Sequence, residues 1–390
     1  MEDAGGALPM LQGVRVAMLN FREPSQSAAG GAEEYAWQVC RHLLAQGAAV
    51  TFVTGREPGQ ARAESREGID LRRMGNCYLV YLLVPLWLML RRNRFDVVID
   101  SMNGIPFFSP LVVRRSTVVL SLIHHVHHRQ FHVFLPRWLA MIGCFIEGPV
   151  ARLLYRNRPT ITVSESSKEE IRERLGWLAP IGIVPNGSNA TTPVANDVAA
   201  QGDPMIIYVG RLIRHKRVHQ VAELAAELAE SRPGLHVHVV GRGPELGPLA
   251  EQAAEPALKG RVHLHGYVAD ADKAALLGAA RLHVTASEFE GWGLTVIEAA
   301  ALGVPTVAYD VGGLRDSVRH GVTGWLVGEG ERLCDVVDRA LKELEDPRRR
   351  AEVARACREW AGEFTWGRTG ASITGLIAKE LLDRRAGAPQ

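Results

Sequence analysis

The sequence predicts an α/β protein made of two doubly wound domains, on three observations. Short apolar, β-rich runs alternate with longer helical stretches along the chain, the pattern of parallel sheets with crossover helices. The alternation comes in two series, and between them lies NGSNATTPVANDVAAQGDP, residues 186–204, a run of small, polar and turn-forming residues that reads as an interdomain linker. A length of 390 residues suits two domains with decorations, each large enough to bury a core.

The first series opens with a strand over 14–20, a Gly-containing loop, and a helix over 32–45 that Gly47 closes. Strands at 50–54, 97–100, 118–123 and 161–163 continue it. The second series begins with a strand at 205–209 and a helix over 219–231, then strands at 235–240, 262–265, 282–285 and 305–308. A last helical stretch, rich in Ala, Leu and Ile, covers 368–385. The expected organisation is an N-terminal domain over 1–190, a linker at 191–204, a C-terminal domain over 205–367, and a closing helix within 368–390 that returns toward the first domain. Two such domains are expected to face each other across a cleft.

Hydrophobic residues make up 47% of the chain and charged residues 23%, ordinary values for a globular protein. They exclude wholesale disorder, collagen-like repeats and a disulfide scaffold. The five cysteines are scattered, odd in number and never spaced as CxxC, so reduced structural thiols are expected. With 45 basic against 43 acidic residues there is no nucleic-acid footprint, although residues 1–190 carry 21 basic and 16 acidic side chains, a local +5. No apolar run reaches the roughly 18–20 residues needed to span a bilayer. The start, MEDAGGALPMLQG, is acidic and lacks an apolar core, so a cytoplasmic protein without a secretory leader is expected.

The most informative segment is 286–303, which contains SEFEGWGLTVIEAAALG. A strand ends, a Gly-punctuated turn follows, and a helix starts near Leu294 and stops at Gly303. A helix N-terminus after a strand end binds phosphate, because free backbone N–H groups and the helix dipole both point there. Glu290 sits before the turn and Glu298 a little over one turn into the helix. Carboxylates beside a phosphate site are unfavourable unless they accept hydrogen bonds from ligand hydroxyls, as on a ribose or hexose. The competing reading is a surface helix with two solvated glutamates.

EGWGLTVIE resembles the Glu-x7-Glu motif of the retaining GT-B glycosyltransferases of family 4. The other segments resemble that family in the same order. YVGRLIRHK, Tyr208–Lys216, looks like its strand and the Arg and Lys that hold the donor diphosphate, here Gly210, Arg211 and Lys216. Arg grips phosphate with two donors and Lys acts as a point charge. Arg217 stands where the family usually has Gly. VVGRGPE around Gly241 resembles the loop near the nucleobase, and HLHGYV with Tyr267 and Val268 resembles the segment that closes over that base. IVPNGSN matches the end of the first domain, and Gly30-Gly31-Ala32-Glu33 resembles the loop that reaches the donor phosphates from that domain.

The resemblance implies two Rossmann-like domains facing across a cleft. It implies a retaining transferase moving a hexose from a nucleoside diphosphate sugar, with UDP the commonest nucleotide, to an acceptor small molecule, glycan or lipid-linked glycan. Arg211, Lys216 and the helix N-terminus would stabilise the leaving diphosphate. Glu290 would hold sugar hydroxyls and Glu298 the ribose. Gly291, Trp292, Gly293, Leu294 and Thr295 would line the donor site. No metal and no separate cofactor is expected, since those cations serve the diphosphate.

Three other features carry competing readings. IHHVHHRQFH places His124, His125, His127, His128 and His132 within nine positions. Metal binding is the sharp reading, disfavoured because no Cys or second-shell carboxylate sits nearby in the sequence. By the family resemblance one histidine just after the strand contacts the hexose, and position favours His124, with His125 in reserve. Asp270-Ala-Asp272 spells the Asp-x-Asp of metal-dependent transferases but precedes a helix, and is expected to cap it. YLVYLLVPLWLML, 78–90, followed by Arg91, Arg92 and Arg94, reads either as a buried helix or as a patch that lies on an anionic membrane. An NAD-dependent oxidoreductase, from the loose spacing of Gly241, Gly243 and Gly247, a nucleotide-sugar epimerase and a non-catalytic sugar-binding protein are the other functional classes.

Overall fold

The computed structural model describes residues 10–188 and 204–386. The chain start at 1–9 and, but for Pro204, the expected linker at 191–204 lie outside or at the edge of the described residues. The chain divides into two compact units, Met1–Gly187 together with Trp366–Gln390, and Ser188–Thr365.

The first unit starts with β1 (Arg15–Leu19), α1 (Gly31–Ala45), β2 (Ala49–Thr54), β3 (Ala63–Arg66), β4 (Ile69–Arg73) and α2 (Val80–Leu90). Next come β5 (Val97–Met102), α3 (Ser109–Val112), β6 (Val118–Ile123), α4 (His128–Phe134) and α5 (Arg137–Phe145). α5 runs on through a π-helical turn, Ile146–Val150, into α6 (Ala151–Tyr155). β7 (Thr160–Thr162), α7 (Glu165–Leu175) and β8 (Ile181–Ile183) close this part. The eight strands form one sheet in the order β3-β4-β2-β1-β5-β6-β7-β8, parallel throughout except for β3 against β4. β5 and β6 are buried along their whole length, as central strands covered by helices on both faces must be.

The second unit holds β9 (Met205–Val209), α8 (Val218–Glu227), β10 (His236–Val240), α9 (Leu246–Ala253), β11 (Val262–Gly266) and α10 (Asp270–Ala279). Its second half is β12 (Leu282–Thr285), α11 (Leu294–Ala301), β13 (Thr306–Tyr309), α12 (Gly312–Ser317) and β14 (Gly324–Val327), followed by α13 (Leu333–Glu343) and α14 (Pro347–Ala361). The sheet is six-stranded and parallel in the order β11-β10-β9-β12-β13-β14. Strand order reverses between β9 and β12. In an open parallel sheet the loops at such a point diverge and leave a crevice at the carboxyl ends of the strands. α15 (Trp366–Ala386) belongs to the first unit, where it packs on α1 and β6. Thr369 Oγ1 donates to the Pro185 carbonyl at 2.8 Å, and Arg384 donates to the carbonyls of Arg115 and Thr117.

Some sequence expectations change. The hairpin β3–β4 and strands β8 and β14 lie where the sequence reading places no strand. The hairpin is rich in Glu and Arg, and its charges are consumed inside the unit: buried Arg73 pairs with buried Glu23 at 2.9 Å and with Glu64 at 3.0 Å. The run at 78–90 is a helix with one face in the core, Val80, Val84 and Leu88, while Tyr78, Leu79, Leu82, Leu86, Met89 and Leu90 face outward. It is therefore neither fully buried nor a free surface helix. One continuous helical stretch, Arg137–Tyr155, is long and apolar enough to cross a membrane by length and composition, although Arg137, Glu147 and Arg152 interrupt its apolar residues. Within it Glu147 is buried and accepts the His127 N–H at 2.8 Å.

Candidate functional site

In the second unit the site is built at the reversal between β9 and β12. β9 ends at Val209, and the loops after β9, β10 and β11 are stitched together by backbone bonds. Gly210 N–H donates to Val240 O at 3.0 Å, Leu212 N–H to Arg242 O at 2.9 Å and Gly241 N–H to Gly266 O at 2.8 Å. Gly241 approaches the first loop so closely that a Cβ there would lie 1.8 Å from the Gly210 carbonyl oxygen, so only glycine fits. Beyond these strands the exposed Tyr267 ring carries the Arg242 guanidinium 4.8 Å from its centroid, and Val268 packs on the core beneath.

Lys216 ends a short 3₁₀ turn, Arg214–Lys216, and Arg217 after it adopts φ 47°, ψ 41°, the left-handed conformation. The position where the family usually places Gly keeps a glycine-like backbone with an arginine in it, and Arg217 then pairs with Glu288 at 3.1 Å. The Lys216 ammonium forms an ion pair with the Glu290 carboxylate. His215, buried and stacked on Phe289 at 4.4 Å, sits behind this pair, and burial together with the neighbouring Lys216 charge pushes its pKa down to about 4. The Tyr208 hydroxyl donates to the Arg211 carbonyl at 2.9 Å, which ties the first turn of that loop to its own strand.

After β12 the chain reaches Glu290, whose carbonyl accepts from Gly313 N–H at 2.8 Å. Gly291 and buried Trp292 follow, and Gly293 caps α11 at φ 94°. No side chain caps this helix, so the N–H groups of its first turn, at Leu294 and Thr295, point outward from a positive dipole end. Glu298, one turn further on, is held by Lys273 of α10 at 3.1 Å. The structure thus gives each of the two glutamates its own ammonium. Lys273 escaped the sequence reading, although its place three residues after Asp270, and as one of only six lysines, was a usable signal. Asp270 and Asp272 do not cap α10 as expected: the cap is Ala269 with no side-chain bond, and Asp270 lies in the first turn, paired with Lys273 at 3.4 Å. An acid in that turn is favoured by the dipole without any capping bond.

In the first unit, Gly30 and Gly31 form the start of α1, where Glu33 accepts the Gly30 N–H at 2.7 Å. His124 follows β6 and is buried, edge-on to Tyr35 at 5.1 Å, with its carbonyl accepting from Ser167 Oγ at 3.0 Å. Burial holds it neutral, its pKa lowered to about 3, and its Nε2 has no protein partner among the described residues. His125 is less buried, stacked on His127 at 4.1 Å and within 2.8 Å of the Gln130 amide.

One carboxylate of this cluster was missed. Glu147, 4% exposed and in the π-helical turn, folds back to accept the His127 N–H at 2.8 Å and approaches the His127 ring at 3.2 Å and the His128 ring at 3.6 Å. The expectation that no carboxylate serves the histidines is corrected: the partner lies 20 residues away, a separation no local motif shows. Burial raises the Glu147 pKa to about 8 and lowers that of His127 to about 4, both toward the uncharged forms. The usable signal was a lone acid in an apolar helix; π-helical insertions also mark functional sites.

Two doubly wound parallel sheets, each carrying its loops at the carboxyl ends of its strands, place the protein in the GT-B fold class. The model for glycosyl transferases group 1 matches residues 194–360, and that for glycosyltransferase family 4 matches residues 29–191. The chain belongs to this group of GT-B glycosyltransferases. It is 31% identical over 220 residues to a glycogen synthase of Mycobacterium tuberculosis, covering 56% of this chain and 53% of that protein. It is 33% identical over 208 residues to a D-inositol 3-phosphate glycosyltransferase of Nocardia farcinica, covering 50% and 46%. The chain spans about half the length of these curated relatives. Among solved structures, sucrose-phosphate synthase from Thermosynechococcus elongatus aligns over 95% of this chain and 99% of its own at TM-score 0.78 and 20% identity. Anabaena Alr3699/HepE in complex with UDP-glucose aligns over 95% and 99% at TM-score 0.70 and 19% identity. These two likenesses establish the fold.

Proposed function

We propose that the protein is a retaining glycosyltransferase that moves a hexose from a nucleoside diphosphate sugar, UDP-sugar first among them, to an acceptor hydroxyl. The observation that carries the reading is the constellation at the reversal of the second sheet: an uncapped helix N-terminus flanked by Glu290 and Glu298, with Lys216 on the first of them. Anionic phosphate oxygens suit the N–H groups of Leu294 and Thr295 and the cations Arg211 and Lys216, and sugar hydroxyls suit the two carboxylates. In the free protein Lys216 is held by Glu290; a diphosphate competes for the same ammonium, so Lys216 is already placed where charge grows on the leaving group. Glu298 is assigned to the ribose, Tyr267, Val268 and Gly241 to the base, and Gly30, Gly31 and His124 to the same donor on the family resemblance alone.

No carboxylate is assigned as a nucleophile, and attack assisted by the leaving phosphate fits a site whose charges all serve binding and departure. The diphosphate has cations of its own, so a bridging divalent ion is unnecessary in this mechanism, and EDTA should leave turnover intact. The test is a thermal-shift screen of nucleoside diphosphate sugars on the full chain, since a donor bound at 100 times its Kd adds about 2.7 kcal/mol to stability. One nucleotide sugar should raise the melting point, and Arg211→Ala should cut that shift by about half or more. No shift from any nucleotide sugar, together with no transfer to a panel of acceptors, would refute the proposal. Turnover of a nucleotide sugar without an acceptor would favour an epimerase instead.

A further inference from the structure

We infer that the first unit docks on anionic membranes through an apolar face built from α5, the α4–α5 turn and the N-terminal end of α2. On α5, Trp138, Met141, Ile142 and Phe145 stand at helical spacing on one outward stripe; Trp138 is 63% exposed, Met141 66% and Phe145 60%. Val133 and Leu135, just before it, are also exposed. A soluble surface helix carries polar residues on that face, whereas this one presents two aromatic rings and two long aliphatic chains to solvent.

The second component is contiguous with the first. Phe131 of α4 lies against Gly104 and also against Gly143 of α5, so the helix pair sits over the loop that follows β5. The same loop carries Phe107, on which Tyr81 of α2 stacks at 5.0 Å, and leads to exposed Leu111. Tyr78, Leu79 and Leu82, at the start of α2, therefore border that loop from the other side.

Charge selects the partner. Between Tyr78 and Ile146 the chain has seven arginines and only two acids, Asp96 and Asp100. Asp96 is paired with Arg15, and Asp100 is buried and bonded to Ser109 and Tyr155. The exposed Arg129 and Arg137 flank the aromatic stripe. An apolar face with aromatic anchors, bordered by exposed guanidinium groups, fits a bilayer interface with anionic headgroups, apolar side chains below and arginines at phosphate level. A second copy of the chain would set these arginines against one another. The face adjoins the carboxyl end of β6, where His124 lies. Resting on the transferase reading above, docking there presents a lipid-borne acceptor to the site rather than a soluble one.

The experiment is co-sedimentation of the full chain, without any sugar donor, with vesicles of one part phosphatidylglycerol to two parts phosphatidylcholine at about 0.05 and 0.5 M salt. The wild type should pellet with these vesicles at low salt and bind roughly tenfold more weakly at high salt or to phosphatidylcholine alone. Trp138→Ser with Phe145→Ser should bind roughly tenfold more weakly at low salt with an unchanged melting point, because both side chains are exposed. Arg129→Gln with Arg137→Gln should weaken binding and flatten its salt dependence. Failure of the wild type to pellet at low salt overturns the inference, as does undiminished binding of the Trp138–Phe145 variant. A lipid-free dimer that the same variant dissolves would overturn it in favour of a second copy. Binding is read independently of transfer, so either reading can fall while the other stands.

Discussion

Lys216 and Glu290, 74 residues apart, meet as an ion pair at the ends of adjacent strands β9 and β12, both largely shielded from solvent. The pair binds the two loops of the candidate donor site to each other before any ligand arrives. It also makes their functions inseparable. Lys216→Met and Glu290→Gln should each lower kcat/KM by about 10- to 150-fold, equivalent to about 1.5–3 kcal/mol. The double variant should be no worse than the poorer single one, because each substitution already strands the other group. A double variant whose losses multiply would show that the two residues act apart.

Arg217 occupies the left-handed region at φ 47°, where a side chain costs roughly 1–2 kcal/mol that glycine avoids. Arg217→Gly and Arg217→Ala both lose the exposed pair with Glu288, so that contribution cancels between them. Urea unfolding should therefore find the Gly variant more stable than the Ala variant by about 1 kcal/mol. Equal stabilities would mean that the loop relaxes to another conformation.

Glu147 supports the histidine loop from beneath. Glu147→Ala leaves the His127 N–H without its acceptor and should cost about 1–3 kcal/mol. Glu147→Gln keeps an acceptor oxygen without the charge, and because burial already favours the protonated carboxyl it should cost well under half as much. Chemical denaturation of both variants at pH 7 separates these outcomes; equal losses would show that the carboxylate charge itself is needed.

Acid sensitivity follows from His124 and His283, both buried and both lowered to about pKa 3 by burial. Below pH 6.5 the unfolded chain takes up protons that these folded residues refuse, so stability is lost as pH falls from 6.5 toward 3. Between pH 6.5 and 5 each contributes a loss of about 1.6 kcal/mol. Glu147, with its pKa raised to about 8, acts in the opposite sense, adding stability as pH falls from 8 toward its unfolded value. Isolating one histidine removes that overlap: His283→Asn, which retains a polar group beside Thr306, should unfold at a temperature less dependent on pH between 7 and 5 than the wild type. An unchanged slope would show that His283 titrates normally.

The alternation of short apolar strands with helices, and the glycines between them, determined the two doubly wound sheets without reference to any structure. β6, β9 and β12 span 118–123, 205–209 and 282–285, where the sequence places them, because buried parallel strands are continuous apolar runs bounded by turn residues. The segment from Glu290 to Glu298 was legible for the same reason: a strand end, a glycine turn and a helix start are encoded within a few neighbouring residues. The hairpin β3–β4 was not legible, because its strands are written in Glu and Arg whose charges are neutralised only once Glu23, 50 residues before Arg73, arrives.

What tertiary structure alone decided is which charge meets which. Lys216 with Glu290, Lys273 with Glu298, and Glu147 with His127 join residues 74, 25 and 20 positions apart. It also decided that α2 and α5 each keep an apolar face in solvent. Hydrophobic period reports that a face is apolar, but only packing shows whether another element covers it, since burial depends on neighbours brought in from distant parts of the chain.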